Sequence, residues 1–176
     1  MSRTTHEHKK RAPPKISFYV IVTSDTLYRM IKMGEKVEDE NGLRIMNLVT
    51  TKGHDFKGRS IVPNDPNIIK QEIERVVDNL KPDVIITTGG TGLGKRDVTI
   101  EVVEGLVEKK IPGFGELFRF ISYNEIGSSA MLTRAIAGVY KGTVIFSIPG
   151  SPHAIEMALS KLIIPEAGHI VAHVRE

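Results

Sequence analysis

Val84-Ile85-Ile86-Thr87-Thr88-Gly89-Gly90-Thr91-Gly92-Leu93-Gly94-Lys95-Arg96-Asp97-Val98-Thr99 is the stretch from which the rest of this chain can be read. Its apolar start is short and β-branched, which predicts a buried strand. From Thr99 onward Val102, Val103, Leu106 and Val107 recur on one side of a helix. Between strand and helix lie four glycines in six residues. Backbone N–H groups can close around an anion there, because no Cβ intrudes. A phosphate is the expected occupant.

Working outward, Ile16 to Val22 is nearly continuously apolar, as in a central strand covered on both faces, and Ser24-Asp25 ends it in a turn. Residues 26 to 42 show little periodicity, and most of them read as a mobile loop. A helix then places Ile45, Met46, Leu48 and Val49 inward and stops near Gly53. Ile61-Val62 closes a weaker strand. Asp65-Pro66 opens a helix, with Asp65 as cap and Pro66 at the first helical position, and Ile68, Ile69, Val76, Val77 and Leu80 follow at helical spacing. Past the glycine stretch, Pro112-Gly113 ends a unit, Glu116 to Ile121 reads as a helix and Ser128 to Ala137 as a shorter one. Thr143 to Ile148 is a strand, and after Pro149-Gly150-Ser151-Pro152 a last helix runs to Pro165. Strands alternating with helices predict an α/β sheet wrapped on both faces. Ligands of such sheets bind beyond the carboxyl ends of the strands, so Ser24-Asp25, Gly89 to Asp97 and Pro149 to Pro152 are expected to converge.

The bulk composition fits one domain over residues 15–176. The chain has 176 residues, 40% hydrophobic and 26% charged, without cysteine, which fits a reducing, cytoplasmic setting and rules out a thiolate metal site. No long uninterrupted apolar run suggests a membrane span. The basic pI near 9.1 resides in the N-terminal tail. Residues 1 to 15 carry Arg3, Lys9, Lys10, Arg11 and Lys15 against Glu7, so the remainder is close to neutral. Residues 1–14 are read as a flexible tail, and no nucleic-acid partner is expected.

Two phosphate motifs fail on inspection. Gly89, Gly94 and Lys95 match the phosphate-loop pattern, but Arg96 stands where a hydroxyl must ligate magnesium. No dinucleotide fingerprint can be drawn through Gly90, Gly92 and Gly94. Asp97 either favours the dipole of the helix beginning near Thr99 or holds Mg2+ against a phosphate. Ser151 is either a helix cap or an anion contact. His153 is read as a polar residue of a first turn and the histidines as scattered, so no zinc site is expected.

Thr87 to Thr99, Ile111-Pro112-Gly113-Phe114-Gly115-Glu116, Ile126 to Ala135 and Pro149 to Pro152, in that order and spacing, resemble the MoaB/MogA family of molybdenum cofactor biosynthesis, the MoaB branch most nearly. The resemblance spans roughly residues 15 to 174. It implies a three-layer α/β/α domain that assembles as a trimer, sometimes a hexamer, and binds molybdopterin. Active members adenylylate the pterin phosphate with Mg2+ and ATP, release pyrophosphate, and pass the product to a metal-insertion enzyme. Carried over, Gly89, Gly90, Thr91 and Gly92 would cradle phosphate, with Ser24 and Asp25 on the nucleotide side. Asp97 would hold Mg2+ or the reacting phosphates. Ser128, Ser129 and Arg134 would line the pterin side, with Pro149, Gly150 and Ser151 at the ligand's anionic end. Where active relatives place two acidic residues after Pro63, this chain has Asn64-Asp65. Either Asp65 substitutes or turnover is weakened. The alternatives are a pterin-binding scaffold without catalysis, and a nucleotide hydrolase of the competence-damage type.

Overall fold

The protein is described by a computed structural model over residues 13–176; the tail expected at residues 1–14 lies outside these but for Pro13 and Pro14. Six strands, β1 (Ser17–Thr23), β2 (Asp55–Val62), β3 (Val84–Thr88), β4 (Lys109–Lys110), β5 (Ile136–Tyr140) and β6 (Thr143–Ile148), form one sheet in the order β2-β1-β3-β6-β5-β4. Neighbours from β2 to β6 pair in parallel, whereas β5 is antiparallel to both β6 and β4. The helices are α1 (Asp25–Lys32), α2 (Glu40–Thr51), α3 (Pro66–Asn79), α4 (Thr99–Leu106), α5 (Pro112–Ile126), α6 (Pro152–Met157) and α7 (Ile164–Val174).

The apolar strands hide a strict alternation. Phe18, Val20 and Val22 of β1 pack with Ile45 and Val49 of α2, Phe114 and Phe118 of α5, and Ile155 and Val171 of the C-terminal helices. Tyr19 and Ile21, on the other face, pack with Ile69, Ile73 and Val76 of α3 and Val103 of α4. β3 and β6 divide in the same way, Ile86 and Phe146 to the first side and Ile85 and Ile145 to the second. Period-two side-chain direction therefore produces two cores, one on each face, and the three-layer α/β/α sandwich expected from the resemblance. Phe146 anchors the first core, its ring edge-on to Phe114 at 5.0 Å.

Four local expectations are corrected. Residues 26 to 42 are not mostly loop, since helices cover all but 33–39: Ser24 accepts a hydrogen bond from the Leu27 N–H and starts α1. That helix is short and only half-buried, but Leu27, Tyr28, Met30 and Ile31 do recur at helical spacing, and Leu27 packs against the first core, so a helical signal is present in the sequence. Pro112 begins α5 at its first turn instead of ending a unit. Ser128 to Ala137 is not a helix but a 3₁₀ turn, Gly127–Leu132, followed by β5. β5 turns into β6 through Lys141 and Gly142, at φ 46° and 80°, the two left-handed residues of a tight hairpin. Finally, the chain continues as helix beyond Pro165. A π turn at Ala158–Ile163 precedes α7 and resets the hydrogen-bond ladder just ahead of the residue that lacks an N–H.

The strand order positions the site. From β1 the chain goes to β2 on one side and then returns to β3 on the other, so the strand order switches beside β1 and opens a crevice at the strand C-termini.

Candidate functional site

The glycine loop is shaped by how closely it lies against β1. Gly89 and Gly90 adopt φ of 91° and 63°, a region that side chains disfavour. A Cβ on Gly89 would stand 2.4 Å from the backbone oxygen of Thr23, and one on Gly90 would stand 2.3 Å from Asn64 Oδ1 and 2.5 Å from Thr99 Oγ1. The Gly90 carbonyl accepts from the Thr99 N–H, and the Thr99 hydroxyl donates to Thr23 Oγ1 at 3.3 Å. The loop is thereby tied to the ends of β1 and β2 and to the start of α4. Thr91 is buried beneath it, whereas Gly92 to Arg96 are exposed.

Asp97 closes the loop. Its Oδ2 accepts the Gly94 N–H at 3.0 Å, and its own N–H donates to the Gly94 carbonyl. A Cβ on Gly92 or Gly94 would come within 2.7 or 2.8 Å of that carboxylate oxygen, so a side chain at either position would displace Asp97 from the curl. Arg134 reaches in from beyond the 3₁₀ turn, donating to the Gly92 carbonyl at 3.1 Å and pairing with Glu101 of α4.

On the other side of the loop, Asp25 accepts from the backbone N–H of Asn64 at 2.9 Å and from its Nδ2 at 3.3 Å, and pairs with Arg96 at 2.8 Å. Partial burial pushes the Asp25 carboxyl up. The Asn64 donors and the Arg96 guanidinium outweigh it and hold the group below the usual carboxylate range. Asn64 thus clamps Asp25, while its buried Oδ1 faces Gly90 without a hydrogen-bond donor. Asp65 caps α3, its Oδ1 accepting from the N–H groups of Asn67 and Ile68. Ser24, capping α1, donates its own N–H to the Val62 carbonyl.

The third turn meets the first two. Gly89 N–H donates to the Ile148 carbonyl, the Thr88 hydroxyl donates to the Pro149 carbonyl, and a Cβ on Gly150 would stand 3.3 Å from Gly89 Cα. Ser151 caps α6 by accepting from the Ala154 N–H at 3.2 Å. Beside it lies a cavity of about 190 Å3 bordered by Phe118, Ser122, Thr133, Ser151 and Met157. Glu125 forms part of its rim, held below its ordinary range by His153 and Lys161. Ser128 and Ser129 stand exposed on the 3₁₀ turn, and Ser128 borders a shallow groove with Phe120, Tyr123 and Met131 instead of the glycine loop.

The structure therefore brings Ser24, Asp25, Asn64, Gly89 to Gly92, Asp97, Arg134 and the Pro149–Ser151 turn to one edge of the sheet. It adds Asn41, whose Nδ2 donates to the Gly150 carbonyl at 2.8 Å, and the buried Thr23–Thr99 hydroxyl pair. Neither carried a sequence signal, since their partners lie 109 and 76 residues away. A glycine loop without side chains to obstruct it, two clamped carboxylates and the cations Lys95, Arg96 and Arg134 suit a polyanionic ligand that is itself to be divided or joined.

An open α/β sheet with a glycine-rich loop at its switch point defines the class to which this chain belongs. Within that class the chain belongs to the family described as "Probable molybdopterin binding domain", which matches residues 19–169. It is 46% identical over 165 residues to the molybdenum cofactor biosynthesis protein B of Bacillus cereus, covering 93% of this chain and 94% of that one. It is 40% identical over 161 residues to a "Probable molybdopterin adenylyltransferase" of Methanocaldococcus jannaschii, covering 92% and 95%. The tungsten cofactor synthesizing protein MoaB of Pyrococcus furiosus superposes with a TM-score of 0.79 at 38% identity, covering 94% of this chain and all of that one.

Proposed function

We propose that the protein acts in molybdenum or tungsten cofactor biosynthesis, as a Mg2+- and ATP-dependent adenylyltransferase for molybdopterin. The observation that carries this reading is the loop packed so tightly on Thr23 and Asn64 that only glycine fits, beside two carboxylates whose positions are fixed by hydrogen bonds. In the reaction a phosphate oxygen of the pterin bonds to the α-phosphorus of ATP, the bond to the β-phosphate oxygen breaks, and pyrophosphate leaves. Two anions must be brought together, so the protein's contribution is positioning and charge neutralisation. The Gly89–Gly92 backbone orients phosphate, Lys95 and Arg96 offset its charge, and Ser151 and Arg134 face the pterin side. Mg2+ commonly uses one or two carboxylates plus substrate phosphates, which Asp97 and Asp25 fit without a larger ligand cluster. When bound, the ion would neutralise the phosphate oxygens. The zero cysteine count is in keeping with a cytoplasmic setting.

The deciding experiment incubates the protein with molybdopterin, ATP and Mg2+ and follows adenylylated pterin by mass and pyrophosphate release. Product that requires all three supports the transferase. Pterin binding without product leaves the scaffold reading, and ATP hydrolysis without pterin would make it a hydrolase.

Asn64 is the observation that favours the scaffold reading, because it supplies no charge where the family resemblance leads one to expect an aspartate. Asn64→Asp would place two carboxylates about as close as the present Asn64–Asp25 contact, a pair that a divalent ion stabilises. The Mg2+ concentration for half-maximal turnover is expected to fall several-fold in this variant. An unchanged Mg2+ dependence would locate the ion away from position 64.

Self-association is part of the same proposal. Leu117, Phe120, Tyr123 and Ile126 of α5 and Met131 and Leu132 of the 3₁₀ turn are all more than half exposed, an apolar patch of the kind buried between subunits. Light scattering after gel filtration is expected to give a trimer, and Phe120→Asp a monomer. A monomeric wild type at micromolar concentration would refute this assignment of the patch.

A further inference from the structure

Two helices begin side by side at the edge of the site. Ile45 of α2 and Ile155 of α6 share the first core, and Asn41 and Ser151 each lie one turn earlier in the chain, at the N-terminal ends of those helices. The two ends meet where the Asn41 Nδ2 donates to the Gly150 carbonyl at 2.8 Å. Gly150 has no slack toward the glycine loop, since a Cβ there would stand 3.3 Å from Gly89 Cα. The peptides just before it are fastened from β3, by the Thr88 hydroxyl on the Pro149 carbonyl and the Gly89 N–H on that of Ile148. At Gly150 itself the fastening comes from α2.

Asn41 owes its place to Asp39. Of residues 33–39, which link α1 to α2, only Asp39 is buried, at 2% exposure. Its Oδ1 accepts the Gly42 N–H at 2.9 Å as the cap of α2, and its Oδ2 pairs with Arg59 Nε of β2 at 3.0 Å. A Cβ on Gly42 would overlap Asp39 Oδ2 and stand 2.6 Å from Arg59 Cδ, so these three residues pack without spare room. Capping by itself does not call for a carboxylate, because Asn and Ser cap as well; a buried one is tolerated when a cation faces it. The pair therefore pins the first turn of α2 to the sheet and carries Asn41, two residues on, to Gly150.

We propose that Asn41 is a positioning residue of the ligand site, set in place by the buried Asp39–Arg59 pair: it fixes the Gly150 carbonyl, and with it the Pro149–Ser151 turn on the pterin side. The consequence for substrate rests on the adenylyltransferase reading, whereas the hold on the turn does not. Gly89 and Gly90 are seated separately, on Thr23, Asn64 and Thr99. Loosening the turn thus lowers pterin affinity and leaves ATP affinity in place.

Asn41→Asp is the discriminating variant. It is nearly isosteric, and a carboxylate in the first turn of a helix is favoured by the helix dipole, so a residue that served only α2 would tolerate it. Facing Gly150, however, it sets a carboxylate oxygen against a carbonyl oxygen where a donor stood. Asn41→Ala removes the bond without adding the repulsion. Hydrogen exchange across residues 149–155 is expected to quicken in both, more in Asn41→Asp, with thermal midpoints near that of the wild type. The pterin KM should rise about 5-fold in Asn41→Ala and at least about 20-fold in Asn41→Asp, with kcat and the ATP KM within about twofold. Asp39→Asn keeps a capping oxygen but loses the charge facing Arg59, and should quicken exchange in the same segment without touching it. Unchanged exchange there in both Asn41 variants would overturn the proposal whatever their activity, as would pterin and ATP affinities that fall together. A wild type that neither binds pterin nor forms product sinks the adenylyltransferase reading instead, and the exchange rates still decide whether Asn41 holds the turn.

Discussion

Asp97→Asn is expected to lower adenylyl transfer by at least about 100-fold while the glycine loop stays in place, the scale of loss seen when one preorganised electrostatic group is removed from a reacting centre. The side-chain oxygen of asparagine can still accept the Gly94 N–H, so the bond that closes the loop survives and only the charge is removed. Asp97→Ala removes both and should lose at least as much activity, together with weaker ATP binding as the curl at Gly92–Gly94 opens. Single-turnover rates and ATP affinity, measured on the two variants side by side, separate charge from shape. Asparagine activity within threefold of wild type would end the assignment of Asp97 to the reacting phosphates. If both variants lose ATP affinity alike and keep the rate of the bound complex, Asp97 is a loop strut only.

The largest structural effect is expected at Gly89. Alanine there meets the Thr23 carbonyl oxygen at 2.4 Å while held at φ 91°, and Thr23 closes a strand paired on both sides. Neither backbone can retreat without breaking sheet pairing. Strain and overlap together are worth about 2–5 kcal/mol, or a fall in thermal midpoint of roughly 5–15 °C for a domain of this size. Gly34→Ala is the control, because Gly34 also has positive φ, at 75°, but its Cβ would meet nothing within 4 Å. It should lose only the conformational part, about 1 kcal/mol. Equal losses in the two variants would show that contact with Thr23 contributes nothing. ATP binding should fail in Gly89→Ala even below its melting point, since the loop cannot reseat against β1.

The degree to which each element was legible follows from where it buries its side chains. β1, β3 and β6 are fully buried and read as apolar runs, and α3 has Asp65, Pro66 and a regular apolar face. α1 has only eight residues, and its apolar positions Leu27, Tyr28, Met30 and Ile31, although at helical spacing, are too few to stand out from the polar stretch that follows. β2 was only partly so, since it is an edge strand with one side to solvent, and Asp55, Lys57 and Arg59 alternate along it. β5 contains Gly138, a residue that weakens any strand pattern. It is needed because a Cβ would stand 2.7 Å from Val107 and 2.8 Å from the Lys109 carbonyl. Of the site residues, the glycines and Asp97 announced themselves locally. Asp65 announced two roles at once, and its hydrogen bonds assign it to the helix cap.

By itself, the sequence determined the alternation of strand and helix, the glycine loop that must lie at a strand end, and the ordered motifs that carry the family resemblance. These are encoded in periods of two and 3.6 and in the conformational freedom of glycine, properties of neighbouring residues. Only the tertiary structure decided that Asn64 clamps Asp25, that Asn41 holds Gly150, and that Arg134 reaches the Gly92 carbonyl. Such contacts depend on how separate elements dock, and docking is set by the two cores on either face of the sheet instead of by any local signal.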